Sequence, residues 1–262
     1  MEKVYSVDFG GRPLTIEATT VAKQADGSCL VRYGDTVVLV TACRAPEASE
    51  GLDFMPLTVN YQEMTYAAGK IPGGFFKREG RPSEKEVLCS RLIDRPLRPL
   101  FPKGYGNETQ VIATVMSVDP ENDPEVAALV GASAALTISD IPFNGPIAVV
   151  RAGRVGGEFV CNPSHAERKE SDIDLLVAGT KDAIIMVEGG AQFVPEDDML
   201  AAMDFAHNAM QGVIEFQTEM GREIGSEKLA LAPIVENSEL IDDVSSFASE
   251  KIKEAMKIVT KL

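Results

Sequence analysis

The chain has 262 residues, of which 45% are hydrophobic and 25% are charged, and its formal net charge is -15. This length suits one large domain, or one domain with part of another. Apolar runs such as residues 37–40 are far too short to cross a bilayer. The N-terminus lacks the basic start and apolar stretch of a secretory signal. We therefore expect a cytoplasmic protein that does not associate with membranes.

The cysteines lie far apart in the sequence, without a Cys-x-x-Cys pair, and the chain has 2 histidines. Such a set of side chains suits zinc poorly. We interpret the cysteines as buried, reduced thiols of a cytosolic protein. They are Cys29, Cys43, Cys89 and Cys161.

The first third of the chain is typical of β-strands, which we predict over residues 4–9, 14–18, 36–41 and 57–61. The run 36–41 is rich in β-branched residues without polar alternation, which predicts burial on both faces. A segment rich in glycine and proline follows at residues 68–74 and predicts a loop.

A helix is predicted to begin at Ser83, because Glu86 lies three residues further on and completes a capping box. We expect this helix to end before Pro96. Arg91 and Arg95 are four residues apart and would share one face of the helix, whereas Arg98 lies beyond the proline.

The second half alternates strands and helices. We predict a strand at 110–117, a mostly buried helix at 124–138, two hairpins (147–151 with 158–161, and 174–178 with 183–187) and a long helix from Pro195 to Gly221 or Gly225. Residues 229–235 are typical of a linker, and a last helix is capped by Asn237 or Ser238. The apolar pattern of that helix continues to the C-terminus. We therefore interpret the chain as the N-terminal part of a longer protein.

These elements predict an α/β protein with mixed sheets. We divide it into a domain over residues 1–220, a linker over 221–236 and the start of a helical domain over 237–262.

Positive charge is concentrated in one segment. Residues 70–103 hold nine Lys/Arg and four Asp/Glu, a net charge of +5, whereas the rest of the chain carries -20. An acidic body repels polyanions at long range, so one basic segment requires a specific reason. Within it, Phe75 and Phe76 lie between two glycines and the cations Lys77 and Arg78.

Three stretches carry a resemblance to a known family: "FMPLTVNYQEMTYAAGKIPGGFFKREGRPSEKEVLCSRLIDRPLRPLFPKGY", "VGASAALTISDIPFNGPIAVVRAG" and "DLLVAGTKDAIIMVE". They resemble the first RNase PH-type domain of the bacterial polynucleotide phosphorylase family, and the match covers nearly the whole chain. The tail from about Asn237 resembles the start of the helical domain that links two such cores. The resemblance implies an RNase PH-like fold.

The resemblance also implies a function. The family degrades single-stranded RNA from its 3′ end in mRNA turnover, using inorganic phosphate and releasing nucleoside diphosphates, and the reaction is reversible. It forms a homotrimeric ring with RNA in the central channel, and it works with the RNA-degradation machinery.

The loop with Phe75, Phe76, Lys77 and Arg78 resembles the family's RNA-gripping channel loop. Aromatic faces stack on any base and cations neutralise the adjacent phosphates, so the chemistry agrees. The alternative is a phenylalanine pair buried under the loop with solvated cations beside it.

The family's segment that faces the catalytic side is matched by Arg91, Arg95 and Arg98, and Arg81 is a further candidate outside that segment. A guanidinium group can bind two phosphate oxygens at once. The candidates are Arg81, Arg91, Arg95 and Arg98. The alternative is that Asp94 and nearby glutamates pair with some of them structurally.

The catalytic residues and magnesium ligands of the family belong to a second core that this chain lacks. The active core has serines where this chain has residues 123–125, whose two carboxylates would repel phosphate. It also has an aspartate pair and a lysine, which we match here to Ala166, Asp172 and Leu176. We therefore predict no catalytic residue and no metal site in this chain.

Two other functions stay open. One is a self-sufficient phosphorolase resembling stand-alone RNase PH, and the substitutions above argue against it. The other is a non-enzymatic scaffold whose loop contacts a protein. Salt dependence separates RNA binding from protein binding, because RNA affinity falls steeply with salt.

Overall fold

Alternating apolar residues build a sheet in the first half of the chain. The computed structural model describes residues 3–18, 21–49, 51–52, 54–75, 77–231 and 237–259. Within this part, six strands form one sheet in the order β1-β2-β3-β4-β6-β5. They are β1 (Lys3–Asp8), β2 (Pro13–Ala18), β3 (Gly27–Tyr33), β4 (Thr36–Ala48), β5 (Leu57–Glu63) and β6 (Asn107–Ser117). Strand β3 was not predicted, although Cys29, Val31 and Tyr33 alternate as buried positions.

The pairing places β5 at one edge of this sheet. Neighbours from β1 to β4 are antiparallel, as are β4 and β6, whereas β5 runs parallel to β6 with Val59 opposite Val111. The expectation that residues 36–41 are buried on both faces is wrong. Val38 and Val40 are buried, but Val37 and Leu39 are half-buried, because only one face of β4 meets the core.

Helix α1 (Glu84–Leu97) packs against β5. Its start is confirmed: Ser83 accepts a hydrogen bond from the Glu86 N–H, and the Glu86 side chain accepts one from the Ser83 N–H. The predicted end before Pro96 is wrong, since the helix continues to Leu97. A proline in the last turn removes one donor only, and the Arg98 N–H still donates to the Asp94 carbonyl.

Helix α2 (Pro124–Ile138) is the central element, and nearly all of it is buried, as predicted. It packs on β3, β4 and β6 and also meets the second sheet. Gly131 makes the close approach to β4 feasible, because a Cβ there would lie 2.6 Å from a methyl carbon of Val40. The Cys29 thiol donates to the Gly131 carbonyl at 3.4 Å.

The second sheet has the strand order β10-β9-β7-β8 and confirms both predicted hairpins. Its strands are β7 (Ala148–Val155), β8 (Glu158–Cys161), β9 (Ile173–Gly179) and β10 (Ile184–Ala191). The short helix α3 (His165–Glu170) precedes β9 and was not predicted, although Ser164 and Glu167 form a capping box that signals it.

The single long helix predicted from Pro195 is two helices, α4 (Glu196–Ala209) and α5 (Gln211–Ile224), which meet at Met210. The two helices have different main partners: α4 packs on the second sheet, whereas α5 packs chiefly on α2 and β1. Gly225, one of the two predicted stops, caps α5.

The first compact unit extends to Ala230, beyond the predicted boundary at residue 220. Backbone bonds hold Ser226 to Ile138 and Leu229 to Asp140, at 2.9 and 2.8 Å. The ammonium of Lys228 donates to three carbonyls at the end of α2, at 2.7 to 3.0 Å. The segment up to Leu229 is therefore anchored to the first unit and is not a linker.

The second unit spans Leu231–Leu262 and contains α6 (Ser238–Met256). Asn237 caps this helix by accepting from the Leu240 N–H, which confirms one of the two predicted caps. Residues 232–236 of the predicted linker lie outside the described part. No helix in that part is long and apolar enough to span a membrane.

The cysteines are free thiols. Cys29 and Cys89 are buried as expected, whereas Cys43 and Cys161 are only partly buried.

Candidate nucleic-acid interface

A projecting loop follows β5 and carries the predicted RNA-binding residues. A short 3-10 turn (Thr65–Ala68) ends at Gly69, and the described residues from there to Ser83 form no helix or strand. The side chain of Phe75 is 94% exposed and that of Ile71 is 89% exposed. This exposure argues against a buried position for Phe75. Phe76 lies outside the described residues.

The cations of the loop are available to a ligand. Lys77 and Arg78 are exposed, as is Arg81, and none of the three forms an ion pair with another described residue. Lys77 has a φ of 51°, a left-handed conformation that costs free energy in any residue with a Cβ. Strained backbone of this kind is concentrated at functional sites.

The arginines of α1 divide into two groups. Arg91 and Arg95 are exposed and line a shallow cleft of about 280 Å³ with Asp94. Arg91 has no ion pair among the described residues, whereas Arg95 contacts Glu188 at 2.5 Å on an exposed surface. These two side chains share a face, as their spacing predicts.

Arg98 differs from the other candidates because its donors are used inside the protein. Its guanidinium donates twice to Asp94, at 2.7 and 2.6 Å, and to the carbonyls of Met55 and Leu57, at 2.8 and 3.1 Å. Its pKa is raised chiefly by the hydrogen bonds to Asp94. The structural alternative therefore applies to Arg98, and we leave it out of the RNA-facing set.

An ion cluster occupies the start of α2, where the resemblance places the phosphate. Glu125 and Asp174 both pair with the guanidinium of Arg151. Arg168 pairs with Asp123 and, at 3.0 Å, with Asp174. We call these five side chains the ion cluster. The two carboxylates at the helix start are thus neutralised by arginines, a feature that the sequence analysis did not foresee.

Asp172, the aspartate matched to the family's metal-binding pair, does not belong to the ion cluster. Its carboxylate accepts hydrogen bonds from Arg154 at 2.9 and 2.6 Å, and Arg154 also donates to Asp198 at 2.8 Å. The carboxylate that reaches Glu125 through a shared arginine is Asp174. Ala166 is exposed on α3.

The ion cluster does not suit magnesium. Within the described ranges, no group of three or more His, Cys, Asp or Glu side chains is placed to hold a metal. Burial alone would raise the pKa of Asp174, but Arg151 and Arg168 outweigh it and lower the pKa below its usual range. Each of these carboxylates faces a guanidinium, so a cation would meet positive charge.

A cleft of about 450 Å³ opens beside the ion cluster, between α1 and the second sheet. Leu176 and Leu88 line it together with Arg151 and Glu125. Burial, followed by the charge of Glu125, raises the pKa of the Cys89 thiol in this cleft to about 12. Three leucines line the cleft beside this neutral thiol, and its cations Lys85 and Arg151 are already paired with Glu63 and Glu125. The described lining therefore offers phosphate no unpaired counter-charge.

The pairing of Asp174 predicts a pH-dependent contribution to stability. Because the pKa of Asp174 in the folded protein lies below its ordinary value of 3.8, its contribution is fully present above that value and is lost as the pH falls through the folded pKa. Asp174→Asn is therefore expected to lower the melting temperature at pH 7, with the difference from wild type shrinking toward pH 3. Asp204→Asn, at an exposed position, is the control. A difference that stays constant to pH 3 would contradict this role.

Comparisons with known proteins agree with this fold. Residues 10–142 match the model described as "3' exoribonuclease family, domain 1", and residues 145–209 match "3' exoribonuclease family, domain 2". The chain therefore belongs to the 3′ exoribonuclease family.

Similar proteins carry a more specific description. The chain is 54% identical over 262 residues to the polyribonucleotide nucleotidyltransferase of Geotalea uraniireducens (strain Rf4), and 55% identical over 261 residues to that of Geobacillus kaustophilus (strain HTA426). It spans 38% and 36% of the lengths of these relatives.

The solved structure of rice (Oryza sativa) Rrp46 superposes with a TM-score of 0.61 over 81% of this chain and 94% of that chain. At 17% identity this similarity establishes the RNase PH-like fold alone.

Proposed function

We propose that this chain is the RNA-gripping part of a phosphorolytic 3′-to-5′ exoribonuclease. The longer enzyme would cleave single-stranded RNA with inorganic phosphate, release nucleoside diphosphates and act in mRNA turnover. Family membership and the description shared by the relatives support this reaction. The observation that carries the role of this chain is the loop that exposes Phe75 beside the unpaired cations Lys77 and Arg78.

The loop suits a ligand that must be held and also moved. Stacking on an aromatic ring contributes about 1–3 kcal/mol per base and tolerates every base. Lys77 and Arg78 attract phosphates without fixing a sequence, and Arg81, Arg91 and Arg95 extend the positive surface. A processive nuclease needs this combination of affinity without sequence recognition.

The wider assembly is part of the proposal. We infer a homotrimer in the cytoplasm, with RNA in a central channel and with access to the RNA-degradation machinery. Magnesium would be held by a second core, because each carboxylate of the ion cluster already faces an arginine.

The two other candidate functions are less well supported. A self-sufficient phosphorolase needs an open anion site at the start of α2, where Arg151 and Arg168 are saturated by carboxylates. A protein-binding scaffold would leave the match to the 3′ exoribonuclease family without a role, and it predicts no steep salt dependence of binding.

The test compares two exposed apolar side chains of the same loop in the full-length enzyme. Phe75→Ala is expected to weaken the binding of a single-stranded homopolymer by roughly fivefold or more, because a stacking surface is lost. Ile71→Ala, which removes an exposed but non-aromatic side chain, should leave the affinity unchanged. Both variants should melt like wild type. Equal affinities for the two variants would contradict the proposal.

The salt dependence supplies a second readout of the same proposal. Lys77→Ala combined with Arg78→Ala should reduce the slope of log K against log salt by about 1.4, since each phosphate contact contributes about 0.7. A slope unchanged from wild type would point to a protein partner for the loop.

A further inference from the structure

We propose that Glu79 is a positioning residue for the RNA grip: its carboxylate closes the base of the loop and sets the reach of Phe75, Lys77 and Arg78. This inference rests on the proposed function. The first observation is an unexpected negative charge: Glu79 lies between the cations Arg78 and Arg81, in a segment suited to binding a polyanion.

The carboxylate joins the two ends of the loop. One oxygen accepts from the Thr65 N–H at 2.9 Å, and the other accepts from the Thr65 hydroxyl at 2.7 Å. Both oxygens of Glu79 are thus used on one residue, fourteen positions earlier in the chain. We call this pair of bonds the clasp.

The Thr65 side of the clasp is itself fixed. The Thr65 carbonyl accepts from the Lys70 N–H at 3.2 Å, and Gly69 closes the 3-10 turn through its N–H to Tyr66 at 2.8 Å. The Val118 N–H donates to the Ala67 carbonyl at 3.3 Å, which joins the turn to the end of β6. The clasp therefore connects the outgoing arm of the loop to a turn supported by the sheet.

Regular secondary structure does not support the described residues between the clasp and the loop tip. The described residues from Lys70 to Glu79 form no helix or strand, and their side chains are almost all exposed. Without the clasp, binding RNA would have to order this segment, and ordering backbone opposes binding. The clasp orders the base of the loop before RNA arrives.

Substitutions at Glu79 separate positioning from simple charge because the two roles predict opposite signs. Glu79→Ala removes the clasp and should weaken homopolymer RNA binding about five- to tenfold. Glu79→Gln keeps both bonds, since the amide oxygen accepts from the Thr65 N–H and the amide NH₂ donates to the hydroxyl. It also deletes a negative charge, so its affinity should equal or exceed that of wild type. If Glu79 acted only by repelling RNA, both variants would bind more tightly.

Two further readouts distinguish the loss of loop positioning from a general loss of folding stability. In the full-length enzyme, Glu79→Ala should raise KM for long RNA with little change in kcat, because the grip acts equally on ground and transition states. Trypsin should cut after Lys77 and Arg78 faster in Glu79→Ala than in Glu79→Gln. Thr65→Val deletes one bond without changing charge and should fall between them, which keeps the idea testable if Glu79→Ala does not fold.

Phe75→Ala, measured alongside, identifies which proposal fails. If Phe75→Ala weakens binding and Glu79→Ala binds as tightly as wild type, the positioning role is refuted and the proposed function stands. If neither variant weakens binding, the proposed function itself fails. In a variant that already carries Phe75→Ala, adding Glu79→Ala should weaken RNA binding by a smaller factor than it does in wild type. The reason is that the clasp acts in part by positioning the Phe75 ring, which this variant lacks.

Discussion

Replacing Arg151 with methionine is expected to lower the free energy of unfolding by about 3–5 kcal/mol, the cost of breaking one side of a buried ion pair. Arg151 and Glu125 are only 14% and 11% exposed at their side chains, so Glu125 would be left as a poorly solvated charge at the start of α2. Asp174 would lose the same partner and keep only Arg168. Chemical denaturation of wild type and variant measures the difference.

Arg154→Met is the matched control, because Arg154 lies on the same strand, β7, and pairs with two carboxylates of its own. Those partners, Asp172 and Asp198, are 40% and 46% exposed and stay solvated when the arginine is removed. Its loss of stability should be clearly smaller. Adding Glu125→Gln to Arg151→Met should restore part of the lost stability, since no buried charge is then unpaired. Equal losses at the two arginines would show that the ion cluster has no special structural role.

Local signals in the sequence were sufficient for many elements of the fold. The capping box at Ser83 and the apolar, alanine-rich composition of α2 depend on residues within one turn or one helix, so they can be recognised without the tertiary structure. The break at Met210 could not be predicted, because the apolar pattern continues through it. Only the positions of the second sheet and of α2 show that α4 and α5 must face different surfaces.

The ion cluster shows why the site was harder to predict than the fold. Its members come from the start of α2, from β7, from α3 and from β9. No spacing in the sequence connects them, because the contacts are made between elements. Asp172 and Asp174 are two residues apart, yet one binds Arg154 and the other binds Arg151. The sequence could indicate a carboxylate here, but the partner arginine depends on the pairing of the strands.

Glu79 is a similar case at the candidate interface. In the sequence it is one acid among many cations, and nothing marks Thr65 as its partner. The exposed state of Phe75 also required the structure, since an aromatic pair between glycines is compatible with burial.

The second large effect concerns catalysis: residues 1–262 are expected to have no phosphorolytic activity of their own. A phosphate at the start of α2 would need free donors, but Asp123 and Glu125 occupy that position and their arginine partners are already bound. A metal would need free carboxylates, and Asp174 contacts two guanidinium groups. Leu176 is 3% exposed and offers no charge. Since each missing group is worth a few kcal/mol of transition-state stabilisation, turnover should be absent.

The most direct test of the account is to incubate the purified chain with oligoadenylate, inorganic phosphate and magnesium, and to measure ADP while RNA binding is followed in the same sample. We expect RNA to bind in a manner that depends on Phe75 and on salt, with ADP no higher than in a protein-free blank. The full-length enzyme, as a positive control, should release ADP under the same conditions. Phosphate-dependent ADP release by the chain alone, at a rate near that of the full-length enzyme, would contradict the account and place the active site in this domain.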